Sequence, residues 1–263
     1  MKKIRNVIFW FLVKHNLLFR LVSKLQRKKK SFASNNFDLL ISEIFNNADH
    51  TKYYIEIGAN DGISQSNTKY LELYEKWNGL LIEPIPEIFS KLTKNRSKKN
   101  YFENVACVSF GYEQNEVKMT YSNLMSIVHD GESDIKNRIE HARSGLPHLH
   151  PGELTYELSV PALTMTALLE QAIAPAKISF LSLDVEGNEI EVLKGINFTI
   201  YSFHIILVEC RQIEKLRNFL ADKNYIYVSK VSHHDYLFRN RNFSIASEES
   251  IIRKYVKSEF IAS

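Results

Sequence analysis

Between about residues 52 and 240, short apolar runs alternate with longer amphipathic stretches. Such alternation predicts strand–helix–strand units that build a mainly parallel sheet with helices on both faces. Residues 205–208 are Ile-Ile-Leu-Val, an unbroken apolar run expected of a strand covered on both faces. The pattern predicts strands at 53–57, 79–82, 101–108, 178–185, 203–208, 225–231 and 236–239, and helices at 71–77, 85–92, 189–193 and 213–221.

Two stretches depart from the regular alternation. Only residues 232–235 separate the last two predicted strands, a connection short enough for an antiparallel hairpin. Residues 111–160 are polar and rich in His, and we expect an insertion over the carboxyl edge of the sheet, where ligands bind. A chain of 263 residues suits one large domain with appendages, so we expect the domain at 31–245 and a C-terminal tail at 246–263.

The first 30 residues differ in charge from the rest of the chain. They contain ten Lys or Arg and no acid, which leaves 24 basic and 30 acidic residues in the body, a net charge of −6. Their apolar run at 7–13 is too short to span a bilayer. Helical spacing of apolar residues among basic ones predicts a helix on an anionic membrane surface. The alternative is a helix docked on its own domain or on a second subunit.

The first motif with chemical content follows the first predicted strand. Residues 54–62 read YIEIGANDG, and Gly58 and Gly62 allow a sharp turn and the close approach of a ligand. Glu56 suits a positively charged ligand group and would repel a pyrophosphate. The dinucleotide-binding fingerprint also requires a third glycine. A plain tight turn between strand and helix is the alternative reading.

Acidic residues also end the second and fourth predicted strands. Glu83 follows Gly62 by 21 residues, and a carboxylate placed there can accept hydrogen bonds from ribose hydroxyls. Asp184 and Glu186 end the fourth strand, and strand alternation predicts them on one side of it. Two carboxylates at such an edge can bind an amino group, orient a hydroxyl or accept its proton. The alternative is a set of acids that stabilises a helix N-terminus.

These motifs together resemble the FkbM family of methyltransferases. The resemblance covers about residues 50–240, although the family's first motif usually opens with Asp where Glu56 stands here. It implies the class I methyltransferase fold, a seven-stranded, mostly parallel, Rossmann-like sheet that closes in an antiparallel hairpin. The segments that carry it are EIGANDG at 56–62, IEPIP at 82–86, NVAC at 104–107, LDVEGNEIEVLKG at 183–195 and DYLF at 235–238.

The resemblance implies an S-adenosylmethionine-dependent O-methyltransferase. Asp184 and Glu186 would lie near the reacting methyl group and are the first candidates for the catalytic base. His129, His141, His148 and His150 are weaker candidates, and their spacing matches no metal site, so no metal ligand is predicted. The implied cofactor-binding residues are Glu56, Gly58, Asn60 and Gly62 in the loop, Glu83 at the ribose, and Val105 and Ala106 near the adenine.

Other functions remain open to the sequence. The main alternatives are a nicotinamide-dependent oxidoreductase and a non-catalytic protein that keeps the cofactor-binding fold. We expect a small-molecule or glycan acceptor and no nucleic acid partner, because the net positive charge is confined to residues 1–30. The sequence has only two cysteines, Cys107 and Cys210, which favours a reducing, cytoplasmic location. Residues 1–30 would attach the protein peripherally to the membrane. Oligomeric state stays open.

Overall fold

The computed structural model describes residues 30–46, 48–129, 133–135, 137–149, 152 and 154–261. The chain divides into a unit of residues 1–31 and a unit of residues 32–263. The described helices and strands all belong to the second unit. The predicted basic segment at 1–30 lies outside the described residues, apart from Lys30. In the described part of the chain, no helix is both long and apolar enough to cross a membrane.

Helices and strands alternate along the second unit. The strands are β1 (Tyr53–Ile57), β2 (Asn78–Ile82), β3 (Tyr101–Glu103), β4 (Ala106–Val108), β5 (Glu116–Tyr121), β6 (Ile127–Val128), β7 (Tyr156–Thr164), β8 (Lys177–Leu183), β9 (Ser202–Glu209), β10 (Tyr225–Lys230) and β11 (Asp235–Asn240). The α-helices are α1 (Phe37–Phe45), α2 (Lys69–Glu75), α3 (Pro86–Asn95), α4 (Arg138–Ser144), α5 (Met165–Gln171), α6 (Glu189–Lys194), α7 (Ile213–Asp222), α8 (Glu248–Tyr255) and α9 (Ser258–Ile261).

Among the described residues, seven strands form the main sheet in the order β10-β11-β9-β8-β1-β2-β3. β8 and β2 flank β1 in parallel, and β11 runs antiparallel to both β9 and β10. This arrangement confirms the predicted mostly parallel sheet and its closing hairpin. The order of the strands reverses between β1 and β8, and ligands bind at such a switch point, beyond the carboxyl ends of the strands.

The strands of this sheet lie in the hydrophobic core. β8 is buried from Ile178 to Leu183, with only Lys177 exposed, because helices cover both faces of the sheet. Buried apolar residues of α5, α6 and α7 complete one side of the core; they are Met165, Leu168, Leu169, Val192, Leu193, Leu216 and Leu220. A rigid sheet of this kind fixes the positions of the loops that follow its strands.

The predicted strand at 101–108 is wrong, because that segment contributes to two sheets. β3 pairs with β2 in the main sheet, whereas β4 pairs with β7. Asn104 and Val105 separate them, and the side-chain amide of Asn104 donates to the carbonyls of Glu83 (2.8 Å) and Pro84 (2.9 Å). Within the described residues, β4, β7, β5 and β6 form a second, four-stranded sheet in that order. The predicted insertion at 111–160 therefore has its own sheet, which begins at Ala106 and ends at Thr164.

The expected C-terminal tail contains two helices, α8 and α9. α8 packs against α1. At this contact, Glu43 accepts hydrogen bonds from Lys254 (3.0 Å) and Tyr255 (3.2 Å). This stretch therefore belongs to the packed unit.

Candidate active site

A cavity of about 380 Å³ lies beyond the carboxyl ends of β1, β2, β8 and β9. One wall consists of the residues that follow these strands, and the insertion supplies another wall from Met119, Leu124, Met125 and Val128. Of the nine first-choice catalytic and cofactor-binding residues predicted from the sequence, eight line it: Glu56, Gly58, Asn60, Glu83, Val105, Ala106, Asp184 and Glu186. Sites predicted from separate motifs thus lie together in one space.

Gly62 is the exception, since it does not line the cavity. It has a φ of +77°, and a Cβ there would lie 2.6 Å from Leu92 Cδ1 and 2.7 Å from Arg96 Cγ. Gly62 therefore allows the turn to pack against α3 and the residue that follows it. Its influence on the cavity is indirect, through the course of the loop.

Gly58 lets the ends of β1 and β8 approach closely. Its φ is +79°, and a Cβ at this position would lie 1.8 Å from the carbonyl oxygen of Asp184. The amides of Gly58 and Ala59 donate to the carbonyl of Ile82 at 3.1 and 3.0 Å, which connects the loop to β2. A side chain at residue 58 would separate the strands that carry the acidic residues.

Glu56 forms the core of a buried polar network. Its carboxylate accepts hydrogen bonds from Ser66 Oγ (3.0 Å), Thr68 Oγ1 (2.6 Å) and the Asn67 amide (2.7 Å). It also forms an ion pair with Arg96 at 3.1 Å, and both side chains are at most 5% exposed. The charge of Glu56 is therefore compensated within the protein, and its carboxylate orders residues 66–68 along the cavity.

Arg96 was not predicted from the sequence. It lies in the polar stretch TKNRSKK at 93–99, which has the composition of a solvated surface. Its guanidinium contacts Glu72 at 2.9 Å in addition to Glu56, and Tyr54 Oη lies 2.8 Å from its Nη2. Despite burial, these neighbouring acids raise the pKa of Arg96, while the positive charges of Arg96 and Lys69 lower the pKa of buried Glu72 to about 2.

Glu83 lies on the cavity wall and is only 6% exposed. Its two carboxylate oxygens accept hydrogen bonds from the backbone amides of Ile85 (2.9 Å) and Asn60 (3.0 Å). Burial raises the pKa of Glu83 to about 7, with a smaller contribution from Asp61, although both amides oppose the shift. Each oxygen retains capacity for a further donor.

Three carboxylates meet at the ends of β8 and β9. One carboxylate oxygen from each of Asp184, Glu186 and Glu209 lies within 4.8 Å of the other two, close enough to share a cation. No metal ligand was predicted from the sequence, and neither was a role for Glu209. Glu209 is the last residue of β9, and Asp184 directly follows β8. We call these three residues the acidic group. Its positive neighbour is Arg211, which lies 3.0 Å from Glu209 and 3.5 Å from Glu186.

The environments of Asp184 and Glu209 favour protonation of these two carboxylates. Asp184 is open to the cavity, yet protein surrounds it on its other sides. Burial and the adjacent charges of Glu209 and Glu186 raise its pKa well above the ordinary value. The pKa of Glu209 is raised by burial and by Glu186, against the influence of Arg211. Carboxyls with raised pKa values are stronger bases once they lose their protons.

The prediction that strand alternation aligns Asp184 with Glu186 is wrong, because β8 ends at Leu183. Glu186 has a φ of +54° and Gly187 a φ of +102°, so the chain turns before α6. Glu189 stabilises this turn, since its carboxylate accepts from the amides of Val185 (3.2 Å) and Gly187 (3.0 Å). Both acids nevertheless line the cavity.

The insertion contacts the acidic group directly. His141 Nε2 lies 2.9 Å from Glu186 Oε2, and Asp134 Oδ2 accepts a hydrogen bond from the amide of Arg211 at 2.6 Å. His129 instead contacts Thr120 Oγ1 at 2.6 Å and does not line the cavity. His150 and the side chain of His148 lie outside the described parts of the chain. Of the described histidine candidates, His141 reaches the acidic group.

Comparison with known proteins identifies the family. The profile of the methyltransferase FkbM domain matches residues 56–243, which is most of the chain. The chain belongs to the FkbM methyltransferase family. As a member of that family, it is an enzyme that transfers methyl groups.

A solved structure offers a more distant comparison. The precorrin-6Y C5,15-methyltransferase from Geobacter metallireducens aligns over 80% of this chain and 92% of its own, with 11% identity and a TM-score of 0.37. A similarity of this size carries no argument about the site. No curated protein sequence matches the FkbM chain.

Proposed function

We propose that this FkbM methyltransferase transfers a methyl group from S-adenosylmethionine to a hydroxyl of a saccharide or related small molecule. The observation that carries the proposal is the cavity shared by Glu83, the Gly58 loop and the acidic group. It combines a buried carboxylate suited to ribose hydroxyls with acids suited to a cationic ligand. Family membership supports methyl transfer over the alternatives of an oxidoreductase and a non-catalytic protein.

The lining residues fit S-adenosylmethionine. Glu83 would hold the ribose hydroxyls, because both of its oxygens can accept further hydrogen bonds. Gly58 and Asn60 would let the cofactor approach the loop backbone, while Val105 and Ala106 offer an apolar wall to the adenine. Glu56 would act mainly by ordering the loop beside the cofactor, since Arg96 already compensates its charge. When bound, S-adenosylmethionine supplies a methyl group on a positively charged sulfur that departs as a neutral thioether.

The acidic group would activate the acceptor. Asp184 is open to the cavity and would accept the proton of the acceptor hydroxyl, while Glu186 would orient that hydroxyl. General-base assistance contributes roughly 10²- to 10⁴-fold in rate. Alignment of the acceptor oxygen with the methyl group would accelerate the reaction further. The displacement needs little other assistance, because the leaving group departs as a neutral thioether. Arg211 limits repulsion between Glu186 and Glu209 and so keeps the acids close together.

The insertion wall supports an acceptor with both apolar and hydroxylated parts. Met119, Leu124, Met125 and Val128 are apolar, and the polar residues Asn123 and Ser126 also line this wall. Carboxylates and amides bind sugar hydroxyls, while the apolar side chains would contact the face of a ring or a lipid carrier.

Two assays test this function in sequence. Calorimetry should detect binding of S-adenosylhomocysteine and no comparable binding of NAD. Incubation with radiolabelled S-adenosylmethionine and cell-envelope extract should then transfer the label to a saccharide fraction, and the Asp184→Asn variant serves as the control. Label that appears only in protein would contradict the acceptor class. Binding without transfer to any fraction would favour a non-catalytic protein.

We also propose that residues 1–30 attach the enzyme to an anionic membrane surface. The support is the concentration of ten basic residues among helically spaced apolar ones. Flotation with anionic vesicles should carry the full chain, whereas neutral vesicles should not. Reversal of the four charges at residues 27–30 should weaken the association. Equal flotation of both forms on both kinds of vesicle would contradict the proposal.

A further inference from the structure

Asn188 carries an unpaired amide in the cavity wall. The residue is 5% exposed, and neither Oδ1 nor Nδ2 has a hydrogen-bond partner. Among the described residues that line the cavity, it is the one whose buried side-chain polar atoms lack partners. Such groups are uncommon, because leaving a buried donor or acceptor unpaired destabilises the folded state. The amide therefore calls for a partner that the protein chain does not provide.

Asn188 occupies a position in the fold where its side chain would ordinarily have a hydrogen-bond partner. It is the N-cap residue of α6, where an Asn side chain ordinarily accepts a hydrogen bond from the first turn of the helix. Here the side chain makes no such bond. The helix therefore leaves this amide without a hydrogen-bond partner.

The neighbours of Asn188 identify the part of the cavity that it faces. Val192 lies one helical turn further on and also lines the cavity. α6 packs against β4, and a Cβ on Gly195 would lie only 2.1 Å from the carbonyl oxygen of Val108. Val105, Ala106 and Cys107, which belong to that same segment, complete the wall. Asn188 therefore begins the helix that borders this apolar end of the cavity.

This apolar end is adjacent to Glu83. The amide of Glu83 donates to the carbonyl of Glu103 at 3.1 Å, and Asn104 donates to the carbonyl of Glu83. The end of β2 is thus joined to the segment that begins at Val105. A nucleoside whose ribose is held at Glu83 would direct its base toward the apolar wall that contains Val105 and Val192. Asn188 contributes a polar group to that wall.

We propose that the Asn188 amide recognises the adenine of the cofactor. Oδ1 accepts a hydrogen bond from the exocyclic amino group, and Nδ2 donates to the adjacent ring nitrogen. An amide presents an acceptor and a donor side by side, which is the arrangement that pairs with adenine. The inference rests on the proposed use of S-adenosylmethionine and adds a residue that selects the base.

The test compares two ligands by calorimetry: S-adenosylhomocysteine, and its analogue with purine in place of adenine, which lacks the amino group. The wild-type enzyme should bind the analogue about 5- to 100-fold more weakly, because Oδ1 is left unpaired. In Asn188→Leu, which removes both polar atoms at similar volume, the two ligands should bind within about twofold of each other. The variant should still bind the purine analogue, which also shows that it is folded.

Asn67 provides a matched control. It also lines the cavity, but its Nδ2 already donates to Ser182 Oγ at 2.9 Å. Asn67→Leu should therefore retain the full preference for adenine over purine. Equal binding of both ligands by the wild type would overturn the role of Asn188, as would an undiminished preference in Asn188→Leu. Failure of the wild type to bind S-adenosylhomocysteine would instead refute the proposed function and remove the basis of this inference with it.

Discussion

Replacement of Glu83 by Gln removes a titratable group from the cavity wall at nearly constant volume. Burial raises the pKa of Glu83 from an ordinary value of 4.5 to about 7. Between these two pH values the folded protein holds a proton that the unfolded chain has released. The stability associated with this proton is fully present below pH 4.5 and is lost as pH rises through 7.

The size of the effect follows from the shift in pKa. One pKa unit corresponds to about 1.4 kcal/mol, so the full shift corresponds to about 3 kcal/mol. Integration over the experimentally accessible range gives a loss of about 2.5 kcal/mol between pH 5 and pH 8. The substitution also disturbs the hydrogen bonds from Asn60 and Ile85, because an amide nitrogen cannot accept them. That disturbance is an offset independent of pH, so the informative quantity is the slope.

Urea unfolding of wild type and Glu83→Gln at pH 5, 6, 7 and 8 measures this slope. The free energy of unfolding of the wild type, relative to that of the variant, should fall by about 2.5 kcal/mol over the series. Both proteins share every other titratable group, so the difference between their free energies of unfolding reports the contribution of Glu83. Two parallel curves would refute the reasoning and would mean that the carboxyl at residue 83 ionises as it does in the unfolded chain.

Four further perturbations address the cofactor, the base, the buried network and the charge of the donor. Glu83→Ala should weaken binding of S-adenosylhomocysteine about tenfold to a hundredfold, and unchanged affinity in calorimetry would remove Glu83 from the ribose role. Asp184→Asn should still bind S-adenosylhomocysteine but should lose roughly 10²- to 10⁴-fold in transfer of the radiolabel, and full activity would place the base elsewhere. Arg96→Met should lower the free energy of unfolding by about 3–5 kcal/mol because two buried acids lose their partner, and a urea midpoint equal to the wild type's would contradict that. Affinity for S-adenosylmethionine should rise with pH more steeply than affinity for S-adenosylhomocysteine, since the raised pKa of Asp184 must fall when a cation binds beside it; identical pH profiles would count against that contact.

The main sheet could be predicted from the sequence because few residue types are compatible with its buried strands. A parallel strand covered on both faces must be apolar throughout, as residues 205–208 are, and the chain must turn where that run meets a polar residue. Glu83 and Asp184 are such polar residues, so their proximity follows once the strand order is fixed. The hairpin could be predicted from its short connection alone.

The errors arise where tertiary contacts decide the structure. Residues 101–108 read as one strand because the pairing of Ala106 with Ala162 depends on a segment more than fifty residues away. Arg96 reads as a surface residue because its partners, Glu56 and Glu72, come from other elements. The local sequence pattern gives no indication of such partners, since a charged residue in a buried ion pair and one on the solvated surface can stand in the same kind of sequence. Glu209 was recoverable in principle, because it ends an apolar run as Glu83 does.

The acids of the cavity differ in how far the protein compensates their charge, and this difference suits methyl transfer. Glu56 is paired with Arg96, whereas burial and neighbouring acids raise the pKa of Asp184. A cation next to Asp184 would lower its pKa and leave the carboxylate free to accept a proton. Methyl transfer removes that positive charge, so the pKa of Asp184 would return to its raised value and the carboxyl would keep the proton taken from the acceptor. The same acidic group would therefore favour binding of the charged donor, deprotonation of the acceptor and weaker retention of the neutral product.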